Sequence, residues 1–181
     1  MIIRAATEAD AEALAAIYDH HVLTGFGTFE LEPPGVAWME AKRRDIQGYG
    51  LPFLVAELGK RVLGYAYAGP FRPRPGYRFT VEDSVYVAPD AIGRGVGRAA
   101  LAAVLDHCTA MGLRQVVAVI GDSGNTASIG LHRALGFADA GVVRNVGFKH
   151  GRWVDIVMMQ KPLNGGADTL PDIPGLALGG G

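Results

Sequence analysis

A glycine-rich loop is the segment of this chain whose residue types and spacing point most directly to chemistry. The run Gly93-Arg94-Gly95-Val96-Gly97-Arg98 follows Val85-Tyr86-Val87-Ala88-Pro89, which has the pattern of a strand end, and an apolar helical run begins directly after it. Such a loop directs several backbone N–H groups toward one point, and the positive end of the helix dipole adds to their effect. The sequence therefore predicts an anion site, most naturally for a phosphate or a pyrophosphate.

Two well-known phosphate-binding loops do not match this segment. A P-loop nucleotide triphosphatase needs Lys followed by Ser or Thr at the end of its loop, but Arg98-Ala99 stands there. A Rossmann dinucleotide site needs G-x-G-x-x-G in its first strand–helix unit and an acidic residue after the second strand. This loop is G-x-G-x-G, lies in the middle of the chain, and precedes an acid-free strand pattern at residues 115–120. A turn that only packs a helix onto a sheet is a third alternative, which the three glycines, two arginines and helix start together disfavour.

Two adjacent carboxylates, Glu82 and Asp83, lie on the strand that leads into the loop. Side chains alternate along a strand, so only one of the two can face a cleft. Glu82 shares its face with Ser84 and Tyr86, whereas Asp83 shares its face with three valines. The apolar set belongs more naturally in the core, yet it contains Asp83, so periodicity alone leaves both carboxylates open as the residue that faces the cleft.

Composition limits the classes of protein to which the chain can belong. The 181 residues are 49% hydrophobic with a formal net charge of -1, which gives no electrostatic reason to expect nucleic acid or an anionic membrane as a partner. The longest basic run, Lys42-Arg43-Arg44, is interpreted as a solvated helix face. Cys108 is the only cysteine, so no disulfide can form within the chain and a cytoplasmic location is expected. We find neither a signal-peptide pattern nor an apolar run of the ~20 residues that span a membrane, and expect no metal.

Hydrophobic periodicity and turn signals predict seven strands and four helices. The predicted strands cover residues 2–5, 53–58, 62–68, 79–87, 115–120, 142–149 and 154–160. The first predicted helix begins after Asp10 and ends before Gly25. The other three cover about residues 36–47, 95–111 and 126–135, and Asn125 is the N-cap of the last one. This order predicts an α/β fold with a mixed sheet and helices on both faces. Residues 1–163 are expected to form one domain, and residues 164–181 a Gly/Pro-rich tail without a core.

The loop and its neighbours resemble the GNAT superfamily of N-acetyltransferases, whose pyrophosphate loop has the pattern Gln/Arg-x-x-Gly-x-Gly/Ala. Gly95 and Gly97 match the two glycines, whereas Ile92 stands where Gln or Arg is usual, a contact for which Arg94 or Arg98 could compensate. Val85-Tyr86-Val87 with Pro89 is similar to the fourth strand of the family. The pattern Asn125, Ala127 and Leu135-Gly136-Phe137 is similar to a later family segment, so that the resemblance covers roughly residues 2–162.

The resemblance implies a GNAT-type fold with a twisted, mostly antiparallel sheet of about seven strands, in which two central parallel strands splay apart. On this sequence those strands are 79–87 and 115–120, and acetyl-CoA is expected to lie in the opening, where unpaired backbone groups bond the pantetheine amides. The residues that this resemblance assigns to acetyl-CoA binding are Val85, Tyr86, Val87, Gly93, Arg94, Gly95, Val96, Gly97, Arg98 and Asn125.

Three further segments resemble one branch of that superfamily, the phosphinothricin and methionine sulfoximine acetyltransferases. Residues 80–87 are similar to its T-V-E-x-S/T-V-Y-V segment, residues 66–74 to A-Y-A-G-P-W-K/R, and residues 147–155 to G-F-K-H-G-x-W-x-D. The first match implies that Glu82 is the general base that accepts the proton of the attacking amine. His132 stands where many members of the superfamily carry a tyrosine that protonates the leaving thiolate, so it is the second catalytic candidate, as acid, base or substrate contact.

The branch implies direct transfer of acetyl to the α-amine of a small amino acid analogue, such as phosphinothricin, methionine sulfoximine or methionine sulfone. Arg72 is the first candidate to grip the substrate carboxylate and Arg74 the second. The branch also implies a homodimer, with Lys149 and Trp153 near the interface. Acetylation of a protein N-terminus or another small amine, and a CoA-binding domain without catalysis, are the alternatives. The expected substrate-binding residues are Arg72, Pro73, Arg74, Glu82, Asp83 and Ser84.

Overall fold

The computed structural model describes residues 1–178, in which seven strands and four α-helices follow one another. The strands are β1 (Ile2–Ala5), β2 (Phe53–Leu58), β3 (Arg61–Pro70), β4 (Thr80–Val87), β5 (Gln115–Gly121), β6 (Ala138–Lys149) and β7 (Arg152–Pro162). The helices are α1 (Ala11–Thr24), α2 (Val36–Gly48), α3 (Val96–Ala110) and α4 (Thr126–Ala134). All predicted elements are present, and the largest difference is β6, which begins four residues earlier than its apolar pattern because its first half is mostly exposed.

The strands form one seven-stranded sheet in the order β1-β2-β3-β4-β5-β7-β6. Among these seven strands, β4 and β5 pair in parallel, and the other neighbouring pairs are antiparallel. The tight β2–β3 connection has positive φ angles at Gly59 and Lys60, 58° and 68°, as a two-residue hairpin turn requires. The expected mixed sheet, mostly antiparallel, is confirmed.

The parallel pair β4 and β5 separates halfway along its length. Its pairing runs from Thr80 opposite Gln115 only as far as Asp83 opposite Ala118. Beyond that point β4 continues to pair with β3 on its other side, and β5 continues with β7. The second half of β4, residues 84–87, therefore has one edge without a neighbouring strand, which confirms the predicted splay.

The two faces of β4 meet different helices. The Tyr86 side chain packs edge-on against Tyr18 of α1, with ring centroids 5.1 Å apart. On the opposite face, Val81 and Asp83 are buried, and a Cβ atom at Gly97 of α3 would lie 3.2 Å from the Val87 side chain. The α1–α2 side of the sheet therefore holds Glu82 and the α3–α4 side holds Asp83, which answers the question that periodicity left open.

The segment after β7 packs against the domain. Leu176 and Leu178 are buried members of the hydrophobic core, and the Leu176 N–H donates to the Arg78 carbonyl at 2.8 Å. The Arg114 guanidinium donates to the backbone carbonyl of Asn164 and to the Thr169 hydroxyl. The expectation of a tail without a core is therefore wrong at Leu176 and Leu178, which find an apolar surface, whereas most of residues 164–175 are exposed. Residues 179–181 of that predicted tail lie outside the described residues, and a domain boundary at residue 163 stays a prediction.

None of the helices in residues 1–178 is both long enough and apolar enough to cross a lipid bilayer. The same residues contain no group of three or more His, Cys, Asp or Glu side chains that could hold a metal ion.

Candidate active site

The glycine loop ends at the N-terminus of α3. Gly93 and Gly95 have φ angles of 77° and 76°, a left-handed conformation that side-chain-bearing residues rarely adopt. The first helical hydrogen bond of α3 runs from the Ala99 N–H to the Gly95 carbonyl at 3.0 Å, so the N–H groups of residues 96–98 point out of the helix end. Gly97 brings this helix end close to the end of β4, where a larger residue would press on Val87.

The side chains around this loop add positive charge. Arg94 and Arg98 are exposed, and within residues 1–178 neither takes part in an ion pair. Ile92, which departs from the family pattern, is 62% exposed and offers no polar group. An anion at this loop would meet backbone N–H groups and these two arginines, a set of groups suited to a phosphate or a pyrophosphate.

The splayed edge of β4 lies beside the loop and offers backbone groups to an extended ligand. Val85, Tyr86 and Val87 are half-buried along this edge. Asn125, the remaining candidate for acetyl-CoA binding, caps α4 by accepting a hydrogen bond from the Ser128 N–H at 3.2 Å. Its amide nitrogen also contacts the carbonyl of Gly121 at the end of β5. Asn125 thus holds the far wall of the opening in place, since it ties the end of β5 to the start of α4.

Glu82 is half-buried on the α1–α2 side of the sheet. The space on this side, beside the open edge of β4, is called the cleft below. Within residues 1–178 its carboxylate accepts no hydrogen bond and forms no ion pair within 4 Å. Burial raises the pKa of Glu82, and the nearby charges of Arg72 and Lys42 offset part of that rise. A carboxylate with a raised pKa and no partner is able to take a proton from a ligand, because no bond within the protein has to break first.

Aromatic side chains line the cleft beside Glu82. Tyr18 stacks on Trp38 with ring centroids 5.4 Å apart and meets Tyr86 edge-on. Tyr67, opposite Ser84 in the β3–β4 register, is on the same face. Burial raises the pKa of the Tyr67 and Tyr86 hydroxyls, so both stay protonated at neutral pH and can donate hydrogen bonds. Strand alternation in the sequence could have indicated that Tyr86 shares a face with Glu82. Tyr18 and Trp38 lie on helices, and only contacts between separate elements bring them to that face.

The basic run of α2 does not form the expected solvated face. Arg43 is buried and pairs with Glu40, while Lys42 is half-buried with its ammonium over the rings of Trp38 and Tyr67. Only Arg44, whose side chain is 69% exposed, matches the expectation. The interpretation is therefore wrong for the first two residues, because α2 lies across the sheet and turns them inward.

His132 and Asp83 form a buried pair on the opposite side of β4. The His132 Nε2 lies 2.9 Å from an Asp83 carboxylate oxygen, and its Nδ1 lies 2.7 Å from the Ser128 carbonyl. Burial alone lowers the pKa of His132, but the bond to Asp83 and its charge outweigh burial, so the net shift is upward. Both ring nitrogens are thus engaged within the protein, so His132 has no free nitrogen directed at the cleft.

The predicted substrate residues separate into two groups. Arg72, Pro73 and Arg74 are all exposed in the β3–β4 connection, and the Arg72 guanidinium stacks on the Phe71 ring at 4.3 Å. Arg72 is close enough to Glu82 to lower its pKa, whereas Arg74 has no such effect. Of the two arginines, Arg72 therefore acts on the charge of Glu82, with Ser84 on the same strand face as Glu82, whereas Asp83 lies on the opposite face.

The α1–α2 loop, residues 25–35, covers one end of the cleft. Lys149 is 2% exposed and donates to the Thr28 carbonyl at 2.8 Å, and the hydroxyl groups of Tyr18 and Thr28 are 2.7 Å apart. Gly147 gives the Phe29 ring room to pack closely. Lys149 therefore fixes this loop, whereas Trp153 is 60% exposed on the outer surface. Sequence reasoning did not identify the loop, since its contacts with Lys149 and Gly147 come from residues more than a hundred positions away.

Comparison with known proteins gives matches along most of the chain. A family model described as Acetyltransferase (GNAT) family matches residues 14–137. A phosphinothricin N-acetyltransferase of Alcaligenes faecalis is 54% identical over 170 residues, which are 94% of this chain and 86% of that protein. An L-methionine sulfoximine/L-methionine sulfone acetyltransferase of Pseudomonas aeruginosa is 44% identical over 167 residues, 90% of this chain and 94% of that protein.

A solved structure agrees with these matches. The crystal structure of a GNAT superfamily phosphinothricin acetyltransferase from Sinorhizobium meliloti, in complex with AcCoA, superposes with a TM-score of 0.91 at 46% identity. The match covers 94% of this chain and 92% of that one. The resemblance inferred from the motifs is therefore confirmed in sequence and in fold.

Proposed function

The chain belongs to the GNAT family of acetyltransferases and is an N-acetyltransferase that uses acetyl-CoA, and from that premise we propose that its acceptor is the α-amine of a small amino acid analogue of the phosphinothricin or methionine sulfoximine type. The relatives named above, which act on such compounds, support this substrate class. The observation that carries the proposal is the unpaired, half-buried Glu82 carboxylate beside Arg72, next to the open edge of β4.

Glu82 is the general base in this proposal. Bound acetyl-CoA supplies a thioester whose carbonyl carbon the substrate amine attacks, so that a C–N bond forms and the C–S bond breaks. An α-amine has a pKa of about 8 and is mostly protonated at neutral pH, so a proton must leave before attack. Glu82 takes that proton, directly or through one water, and releases it to solvent; the second proton, which the nitrogen loses as the amide forms, passes through Glu82 or solvent to the departing thiolate. The raised pKa of Glu82 brings it closer to that of the amine.

Arg72 orients the substrate. Its guanidinium can hold the substrate carboxylate with two parallel hydrogen bonds, which places the α-amine at a defined distance from Glu82. The aromatic side chains of Tyr18, Trp38 and Tyr67 exclude water from the other side of the substrate.

His132 serves the reaction by positioning rather than by proton transfer, in our proposal. Its two ring nitrogens are engaged by Asp83 and the Ser128 carbonyl, so protonating the thiolate would require one of these bonds to break. The pair links α4 to the residue that follows Glu82 and lies at the point where β4 and β5 separate. It thereby holds the base and the splayed edge in a fixed relation.

A homodimer is the proposed assembly. Strand β6 is an edge strand, and it and β7 expose a row of large apolar side chains that water contacts unfavourably. The exposed fraction of these side chains lies between 43% and 60% for Val142, Val143, Val146, Phe148 and Trp153. Analytical ultracentrifugation should find a dimer, and Trp153→Glu should weaken it; a monomer at micromolar concentration would contradict this proposal.

We also propose a cytoplasmic location for the protein. Acetyl-CoA is supplied there, and a chain with one cysteine, which can form no internal disulfide, suits a reducing compartment.

A thiol-release assay with acetyl-CoA tests the proposed function. The acceptors are phosphinothricin, methionine sulfone, methionine sulfoximine, a lysine-type amine and a peptide with a free N-terminal alanine. We expect turnover with the first three and little with the last two. Titration calorimetry with CoA shows whether the cofactor site is intact. Normal CoA binding with turnover of the peptide alone would identify a protein N-terminus, not an amino acid analogue, as the acceptor. CoA binding without any thiol release would contradict catalysis of acetyl transfer to these acceptors.

A further inference from the structure

Lys42 is a cation in the cleft without an anionic partner. Its ammonium lies 5.2 Å from the centroid of the Trp38 ring and 5.4 Å from that of Tyr67. Within residues 1–178 it makes no hydrogen bond to the protein and no ion pair within 4 Å. Its neighbours on α2 differ, because Arg43 and Arg44 both pair with Glu40, at 2.5 and 3.5 Å.

The position of Lys42 relates it to the reacting end of the cleft. Tyr67, which it contacts, stands opposite Ser84 in the β3–β4 register, and the next pair on that face joins Gly69 to Glu82. Burial lowers the pKa of Lys42, and the charges of Glu82, Asp45 and Glu30 offset part of that change. A half-buried ammonium whose direct contacts are aromatic faces, with carboxylates only farther away, is suited to bind an anion that enters the cleft.

The cleft therefore offers two cations to a substrate, Arg72 and Lys42. Every α-amino acid carries one carboxylate, which one cation is enough to bind. With an uncharged side chain, Lys42 keeps only the carboxylates that lie beyond 4 Å; with an acidic side chain, it gains an anion in direct contact. Resting on the proposed function, we infer that Lys42 selects amino acids that bear a second acidic group on the side chain, a phosphinate or a carboxylate, over uncharged analogues of the same shape such as a sulfone.

The test compares kcat/KM for phosphinothricin with kcat/KM for methionine sulfone, in the wild-type protein and in Lys42→Met. Methionine keeps most of the aliphatic stem that packs on Trp38 and removes the charge. A hydrogen bond to a charged group contributes about 1.5–3 kcal/mol, so we expect the ratio of the two kcat/KM values to fall about tenfold or more in Lys42→Met. Lys42→Arg should restore most of the ratio, and Arg44→Met, on the exposed face of the same helix, should leave it unchanged.

The outcomes separate this inference from the proposed function. Turnover of both analogues with the same ratio in wild type and Lys42→Met would overturn the selection by Lys42 and leave the proposed function standing. A wild-type preference for the sulfone would also overturn it. Turnover of neither analogue, with CoA still bound, would overturn the proposed function and this inference with it. Circular dichroism and thermal unfolding of Lys42→Met establish that a changed ratio comes from a folded protein.

Discussion

The two faces of β4 place chemically equivalent groups in opposite conditions. Glu82 and Asp83 are adjacent carboxylates, yet Glu82 faces the cleft without a bond to the protein, and Asp83 is buried against His132 at 2.9 Å. Strand alternation alone directs them to opposite sides of the sheet. An unpaired carboxylate can exchange a proton with a ligand, whereas a carboxylate in a buried pair stabilises the arrangement that holds it. Neighbouring positions of one strand therefore have different roles: Glu82 is available to react with a ligand, and Asp83 keeps the strand and helix in place.

Removing the carboxylate on the cleft face should have the largest effect. General bases typically contribute about 10²–10⁴-fold to the rate, so Glu82→Gln should lower kcat by at least about 100-fold while CoA affinity and thermal stability stay nearly unchanged. In the wild type, kcat/KM should fall as pH drops through the raised pKa of Glu82; the variant should lack this limb and lose least at alkaline pH, where free amine is present. A pH–rate profile of unchanged shape would exclude Glu82 as the base.

The same change on the buried face should act on stability instead. Breaking a buried ion pair by removal of one partner costs about 3–5 kcal/mol, because the other charge stays buried without compensation. Asp83→Asn should therefore lower the free energy of unfolding by about that amount in urea denaturation, and Asp83→Asn with His132→Gln together should cost less than the sum of the two. Additive losses would mean that the two side chains do not interact, and the contrast between the faces would disappear.

Substitution of Arg72 tests whether its charge acts on both the substrate carboxylate and Glu82. Arg72→Gln removes a group that can bind a carboxylate, so KM for the amino acid should rise about tenfold, from a bond to a charged group of about 1.5–3 kcal/mol. It should also move the acidic limb of the pH–rate profile to higher pH, because the Arg72 charge lowers the pKa of Glu82. Arg74→Gln is the matched control in the same loop, and equal effects of the two would contradict the proposed position of the substrate.

The smallest expected effect is the pH dependence that His132 adds to stability. Its pKa is raised in the folded protein, so its contribution is complete below the unfolded value of about 6.5 and is lost as pH rises through the folded value. The difference in the free energy of unfolding between wild type and His132→Gln should therefore narrow from mildly acidic to alkaline pH. A difference that grows with pH would indicate that His132 is buried in its neutral form.

Local features of the site could be predicted from the sequence, whereas contacts between distant elements could not. Gly93 and Gly95 indicate the anion loop because their conformation is a property of the residue itself. The orientation of Asp83 depends on His132, 49 positions later, and no pattern within β4 contains that information. Lys42 looks solvated beside two arginines, and only the packing of α2 over β3 turns it inward. Leu176 and Leu178 lie in a segment whose Gly/Pro content predicts no core, but two leucines suffice once a surface is available.

The strand order has a consequence for biosynthesis. Strand β7 lies between β5 and β6, although it follows both in the chain. A ribosome therefore releases β5 with one hydrogen-bonding edge uncovered, and that edge waits until the β6–β7 hairpin has formed and inserted as a unit. β5 has a continuous apolar sequence, so the waiting edge is attractive to other chains. The hairpin turn at His150-Gly151, with φ angles of 48° and 77°, joins β6 directly to β7, so the strand that covers this edge of β5 is synthesised immediately after β6.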